Sequence, residues 1–535
     1  MRLFRTFRSI LVVSVCLAIG QSAWSATPTP LRGSGDSTAA ERSRQMARRV
    51  DELLEQEWTV AKVEPAPAAS DGEFLRRASL DLTGVIPRAS QVREFLADER
   101  PNKREILIDE LLDSPRYATH MATAWRNRII PEEADALRNR EALALQKWLR
   151  TRFAKNLRYD NLVGELLLTL GGDELGPALY YQANDISPEK LAGSAAELFL
   201  GVRLDCAQCH DHPFADWSQR DFWGLAAFFA RVRANDVRGM GMMDARFRLV
   251  DAREGEVKLP DTEEVVPPKY PKGDAADDSD RQTRRVQLAI WMTSRDNPFF
   301  ARAAVNWTWT HLFGRGLVES LDDPSAVGTG TRGQLLNELA RHFTDSGFNL
   351  KELWRTIAST RAYQLAGGHE NADAADVFAQ MRAKPLTPEQ MFDSFMLLAP
   401  GSGPVRDAPE TMATSLDEDP ARIEFVRKLR PPPGSATDYT AGTLQALMLM
   451  NGRVASGVSN AEGSNLLGAI MAPYMSDGER VEVLFMATVS RPPDDEERQA
   501  FAAVLAECKT EEERNQALSD GLWALVNSTE FAFNH

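Results

Sequence analysis

Apolar residues recur every three to four positions along nearly the whole chain, and this period limits the fold more than any other feature. In "AERSRQMARRVDELLEQEW", "ASQVREFLADE", "KREILIDELLDS", "EALALQKWLRTRFA", "YDNLVGELLLTL" and "SPEKLAGSAAELFLGVRL" the spacing predicts helices with one buried face. Ser90 and Ser187 stand where caps are expected, and Pro188 suits a first helical turn. The period returns from Arg281 onward in "TRRVQLAIWMTS", "NPFFARAAVNWTWTHLF", "TRGQLLNELARHF" and "NLKELWRTIASTRAY". Strand-like alternation is confined to residues 245–272, "ARFRLVDAREGEVKLPDTEEVVPPKYPK", where β-branched runs are broken by Gly and Pro. The expected fold is therefore mainly α: two helical domains with a small β-hairpin or loop insertion between them. A chain of 535 residues needs more than one core, because a single core stops growing near roughly 250–300 residues.

The first 25 residues place Arg2, Arg5 and Arg8 before an apolar run, Ile10 to Gly20, and end near the small residues of "AWSA". That is the pattern of a signal peptide, and the run is too short to span a membrane comfortably. A Thr/Pro/Gly/Ser-rich tether at 26–38 follows, then a helical domain at 39–244, the β-rich insertion and linker at 245–280, and a second helical domain at 281–535 with an exposed loop near 400–440. Three arginines leave with the signal peptide, so 62 basic side chains become 59 against 77 acidic ones, a balance of −18. That balance argues against nucleic-acid binding, and no later segment is apolar enough for a transmembrane span. The expected location is secreted, periplasmic or at the cell surface.

Three cysteines then remain, too few for a disulfide framework in a chain of this size. Cys508 lies in a helical pattern and reads as a small buried hydrophobe. Cys206 and Cys209 open "CAQCHDHPFADW", and here the chemistry concentrates. Covalent haem attachment needs two thiols three positions apart to add across two vinyl groups, followed by an imidazole that ligates iron. Cys206, Cys209 and His210 meet that requirement, and make haem c the expected cofactor with His210 on the iron. Zinc held by thiolates and by His210 or His212, a Cys206–Cys209 disulfide, and two unpaired thiols with no cofactor remain open as alternatives. A second axial ligand is sought in "VRGMGMMDARF", where Met240, Met242 and Met243 follow on a Gly-rich stretch; Met242 is the choice, with His120 and His311 as alternatives. Asp211, His212 and Asp216 are candidates to orient an imidazole from the second layer. Ser218 with Asp221 reads as a capping box opening the next helix, and Phe222, Trp223, Phe228 and Phe229 as its buried stripe.

Elsewhere the signals are weaker. Asn306, Trp307, Trp309 and His311 share a helix that Gly314 should end. Asp322 and Asp323 bind a cation or make a turn. There is no G-x-S-x-G, H-E-x-x-H or P-loop, so an enzymatic activity is left open, without a motif behind it.

Several stretches together carry a resemblance. "FLRRASLDLTGVIPRASQVREFLAD", "LLDSPRYATH" and "CAQCHDHPFADWSQRDFWGLAAFFA", followed by "DNPFFARAAVNWTWTHLFGRGLVESLDDPS", "LTPEQMFDSFM", "LQALMLMNG" and "LWALVNSTEFAFNH", are similar to the secreted cytochrome-like family expanded in planctomycetes. Such proteins have two consecutive domains of unknown function, the first with a CxxCH motif. The resemblance implies an exported protein in electron transfer or redox sensing, with a redox partner protein or a cell-surface component as partner. The alternative is a non-haem surface binding module with a structural CxxC, linked to use of extracellular polysaccharide. The chain departs from the family at Ala124 and Asn127, which flank Trp125 where relatives have His and Asp, and at Arg332 and Gly333, where relatives often have His-Pro.

Overall fold

The computed structural model describes residues 34–130, 139–171, 175–212, 215–237, 246–277, 282–322, 327–328, 330–367, 372–399, 419–429, 457, 459 and 464–535. The signal peptide, most of the tether, nearly all of the 400–440 loop, Asp323 and Met240 to Met243 lie outside the described residues. The described chain is mainly α. Its first half holds α1 (Ser34–Ala61), α2 (Asp71–Thr83), α3 (Ala89–Ala97), α4 (Lys103–Asp113), α5 (Pro115–Ile129), α6 (Asn139–Ala154), α7 (Tyr159–Leu167), α8 (Leu175–Ala183), α9 (Pro188–Ala195) and α10 (Gln219–Ala226). Beyond the insertion come α11 (Arg284–Met292), α12 (Phe300–Phe313), α13 (Gly330–Asp345), α14 (Leu350–Ala358), α15 (Ala372–Asp376) and α16 (Pro388–Leu398). The last described helices are α17 (Pro420–Leu429), α18 (Asn465–Ile470), α19 (Asp477–Thr488), α20 (Asp495–Glu507), α21 (Glu511–Val526) and α22 (Thr529–Ala532). Among the described residues no helix is long and apolar enough to cross a membrane.

Local chemistry sets several boundaries where they were expected. Ser187 accepts the Lys190 N–H ahead of Pro188 to open α9, and Gly314 closes α12 at φ 78°. Ser90 is not a cap: α3 starts one residue earlier, where Arg88 N–H donates to the Gln91 side chain. Cys508 is not buried either. It ends α20, partly exposed, its thiol donating to the Val504 carbonyl at 3.4 Å.

Among the described residues, three two-stranded antiparallel sheets accompany the helices. In the first, β1 (Val232–Val237) pairs with β2 (Arg246–Asp251), Val232 opposite Asp251. In the second, β3 (Val257–Lys258) pairs with β4 (Val265–Val266), and in the third β5 (Lys384–Pro385) meets β6 (Phe533–Asn534). The first strand begins ahead of residue 245, in "VRANDV", where apolar and polar residues alternate too briefly to mark a strand.

The buried apolar side chains of the described residues form two clusters. The larger runs from Val50 to Met381 with Met486, and so draws on both sides of the insertion. The smaller runs from Leu386 to Phe531 and takes in Leu80 and Ile86 of the α2 region. Helix α2 passes between them and is buried from Phe74 to Thr83, charged residues included. Arg76 donates to the carbonyls of Thr488 (2.9 Å) and Phe531 (2.8 Å), and Arg77 to those of Tyr363 (2.5 Å) and Leu365 (2.8 Å). Asp81 accepts from Lys384 Nζ (2.7 Å), Tyr363 Oη (2.9 Å) and Asn534 Nδ2 (2.8 Å). His311 Nε2–H donates to the Asp81 carbonyl at 3.2 Å, and the His120 ring packs edge-on against His311 with centroids 5.4 Å apart. Gly84, the C-cap of α2 at φ 74°, is needed here twice over: the backbone is left-handed, and a Cβ would collide with His120 Nδ1.

Candidate site at the Cys206 to His210 turn

Helix α9 runs without a break into one π-helical turn, Ala196–Leu200, which Gly201 closes at φ 68°. A Cβ at Gly201 would stand 2.5 Å from Leu321 Cδ1 and 3.2 Å from Ala303 Cβ, so only glycine lets this corner pack on α12. Val202 and Leu204 are buried and anchor the segment that follows. A 3₁₀ turn, Asp205–Gln208, then carries the motif. Ala207, fully buried, points inward, while Cys206, Cys209 and His210 are exposed. Cys206 lies within the 3₁₀ turn and Cys209 is the residue that ends it. Both are free thiols.

The turn's backbone is fastened from behind. Trp223 Nε1 donates to the Gln208 carbonyl at 3.1 Å, and Gln219 Nε2 donates to the carbonyls of Gln208 (3.2 Å) and Cys209 (3.0 Å). The capping box is present: Asp221 N–H donates to Ser218 Oγ at 3.2 Å, and Ser218 N–H to Asp221 Oδ2 at 3.0 Å. Burial pushes the Asp221 carboxyl up, but the Ser218 N–H and hydroxyl and the Lys269 ammonium outweigh it and hold the group below its ordinary value. Asp322, beyond the insertion, accepts from Arg203 N–H (2.9 Å) and Trp217 Nε1 (3.1 Å) and so clamps both ends of the loop. Because the cap orders α10 and α10 holds the turn, Ser218→Ala is expected to lower stability by about 1 kcal/mol and to speed alkylation of the two thiols. A urea melt with a timed alkylation would check both effects.

The His210 ring is oriented by its neighbour. Its Nδ1–H donates to the Asp211 carbonyl at 2.8 Å, which leaves the lone pair on Nε2. The expected second layer is arranged differently. Asp211 holds His210 through its main chain, and its carboxylate caps α10 by accepting Gln219 N–H at 2.7 Å. Asp216 is 95% exposed and pairs with Lys272 at 3.0 Å. His212 Nδ1 accepts the Ala215 N–H at 2.9 Å rather than meeting either carboxylate. Among the described residues no group of three or more His, Cys, Asp or Glu side chains is set to hold a metal ion, so a self-contained zinc site is not formed. His120 and His311 are brought to each other in the core, beneath α2, and the Met242 choice lies outside the described residues.

The anchors Gln208 and Gln219 were not singled out from the sequence, Trp223 was read only as part of a buried stripe, and Asp322 as a cation ligand or turn residue rather than a clamp on this loop. The one signal for the first three was the dense run of polar and aromatic side chains around and after the motif. A cavity of about 1190 Å³ bounded by Trp148, Leu168, Pro177 and Ile290, and one of about 740 Å³ beside Pro65 and Arg361, are not lined by the motif. The outer face of the turn opens to solvent. The donors present, two exposed thiols and an imidazole with its Nε2 lone pair available, fit the requirements of covalent haem attachment.

No curated protein and no solved structure matches the chain. Residues 49–234 match the PSCyt2 family, described as a protein of unknown function (DUF1549), and residues 284–428 match the PSD1 family, described as a protein of unknown function (DUF1553). The chain carries these two domains one after the other, and the Cys206 to His210 turn belongs to the first.

Proposed function

We propose that the turn is the attachment point of one c-type haem in an exported protein of electron transfer or redox sensing. The observation that carries this reading is the division of labour in five residues: the backbone and Ala207 are held by the fold, while Cys206, Cys209 and His210 Nε2 are left outward. A purely structural turn would not need the two sulfurs, since the residue that packs is the alanine between them. Cys206 and Cys209 would each add S–H across one vinyl group, and His210 would ligate through Nε2, with Asp211 and Gln219 holding ring and backbone in place. A bound haem supplies one-electron chemistry. The partner would be a redox protein or a cell-surface component.

The test is a pyridine haemochrome spectrum with intact mass on protein exported from a host that matures c-type cytochromes. The expected result is a reduced α-band and one added haem, both lost in Cys206→Ser/Cys209→Ser. A clean apo mass with no band would overturn it and favour the second reading. In that reading the two exposed thiols form a reversible disulfide on a surface binding module. Its signature is two alkylated sulfurs only after reduction.

A further inference from the structure

Arg128, next to last in α5 and partly exposed, is held in a setting unlike that of the buried arginines. Its guanidinium carbon lies 5.2 Å from the Trp125 ring centroid and 5.0 Å from that of Trp307 on α12. The two indoles meet at 58° with centroids 4.9 Å apart, so they make a notch and the guanidinium lies across it. Its one hydrogen bond runs from Nη2 to the Leu198 carbonyl, in the π-turn, at a long 3.4 Å. Arg76 donates to the carbonyls of Thr488, Glu530 and Phe531, Arg77 to those of Tyr363, Leu365 and His535 and to the Glu73 carboxylate, and Arg285 pairs with Asp251 at 3.0 Å. Among the described residues no carboxylate pairs with Arg128. Neighbouring Arg126 does have one, Glu389 at 3.3 Å.

A guanidinium has five N–H donors and keeps its charge. Burial pulls Arg128 down to about 10, which leaves it cationic at neutral pH. Two ring faces help, at about 0.5–2 kcal/mol each, but they accept none of the in-plane N–H groups. Trp125, one wall of the notch, also has a buried indole N–H without an acceptor. The Arg128 donors that meet no protein acceptor are open to solvent, where an acceptor-rich group can take the place of water. Arg128 and Trp307 are both partly exposed, so such a group has a way in. We propose that this notch binds the oxyanion of a small acidic ligand, a carboxylate, sulfate or phosphate ester, gripped by the Arg128 fork with the Trp307 face beside it. The inference stands apart from the haem reading, because it uses none of the motif residues.

The experiment uses the full chain. Sodium acetate, sulfate and phosphate are titrated at constant ionic strength, with tryptophan fluorescence and thermal melting as readouts. The expected result is a saturable fluorescence change and a rise in Tm for at least one salt. Acetate against the other two separates a carboxylate ligand from a sulfate or phosphate ester. Arg128→Gln should abolish the response, and Arg128→Lys should weaken it by roughly tenfold or more, because the ammonium keeps the charge but loses the planar fork. Should Arg128→Gln not fold, Arg128→Lys decides on its own. No saturable response to any of the three salts overturns the proposal, as does an unchanged response in Arg128→Lys. A response that emerges only in Glu132→Gln/Glu133→Gln would also overturn it, by giving the guanidinium to the chain's own acidic stretch.

Discussion

Replacing Asp81 with alanine is expected to destabilise the protein by about 3–5 kcal/mol, the cost of leaving a buried charge without its partner. The side chains of Asp81 and Lys384 are 3% and 17% exposed, and their 2.7 Å contact joins α2 to the strand that pairs with β6. Lys384 Nζ also donates to the carbonyls of His311 and Leu312, at the negative end of α12. Burial already holds the Lys384 ammonium below its ordinary value, so without the carboxylate it should release its proton under milder conditions. Lys384→Met should cost a similar amount, since Asp81 would keep only Tyr363 and Asn534. The double variant Asp81→Ala/Lys384→Met should lose clearly less than the two single losses together, because no lone charge remains. Urea unfolding of all three would show it, and strictly additive losses would rule out the pairing as the source. Asp216→Asn serves as the control: at 95% exposure it should stay within about 0.5 kcal/mol of the parent.

Stability should also fall steeply between about pH 6.5 and pH 4, before most carboxylates titrate. Burial pulls both His120 and His311 down to about 3 from an ordinary value of 6.5, aided by His311 beside the first and Lys384 beside the second. The folded state thus keeps both imidazoles neutral where the unfolded chain protonates them. With the folded value lowered, the unfolded chain binds more protons below 6.5, and stability drains away as pH falls toward 3. Each histidine is worth on the order of 4 kcal/mol over the full window. His342 and His535 are lowered by burial and push the same way. Asp51 opposes them: burial raises it from 3.8 to about 6, so it steadies the fold as pH drops through that range, by roughly 3 kcal/mol at most. The pair of histidines should prevail. Urea melts at half-unit steps of pH, on the parent and on His120→Asn, would reveal it; an identical acid limb in the variant would sink the assignment.

What could be read from residues alone follows from distance along the chain. The helices were legible because each apolar stripe is local, as in "YDNLVGELLLTL", which becomes α7. Helix α2 shows the opposite. In "FLRRASLDLT" the two arginines and the aspartate look like a solvated face, yet every residue is buried, because carbonyls from residues 363 to 531 come to meet them. Amphipathic periodicity has no means of registering a helix covered on all sides. The residue types of the Cys206 to His210 turn were legible in the same local way, two thiols and an imidazole in five residues. Its posture was not, since Asp322 reaches Arg203 across 119 positions and the tautomer of His210 depends on a neighbouring carbonyl.

The inward alanine of the turn has an evolutionary consequence. Ala207 alone seats the turn in the core, and the hydrogen bonds that fasten it go to main-chain carbonyls, which every residue type possesses. Cys206, Cys209 and His210 can therefore drift at almost no thermodynamic penalty. A lineage could lose the reactive trio, or exchange it for another, while the scaffold went on folding unchanged. Selection on that trio would then report the demand for its chemistry, unmixed with the demand for a stable protein.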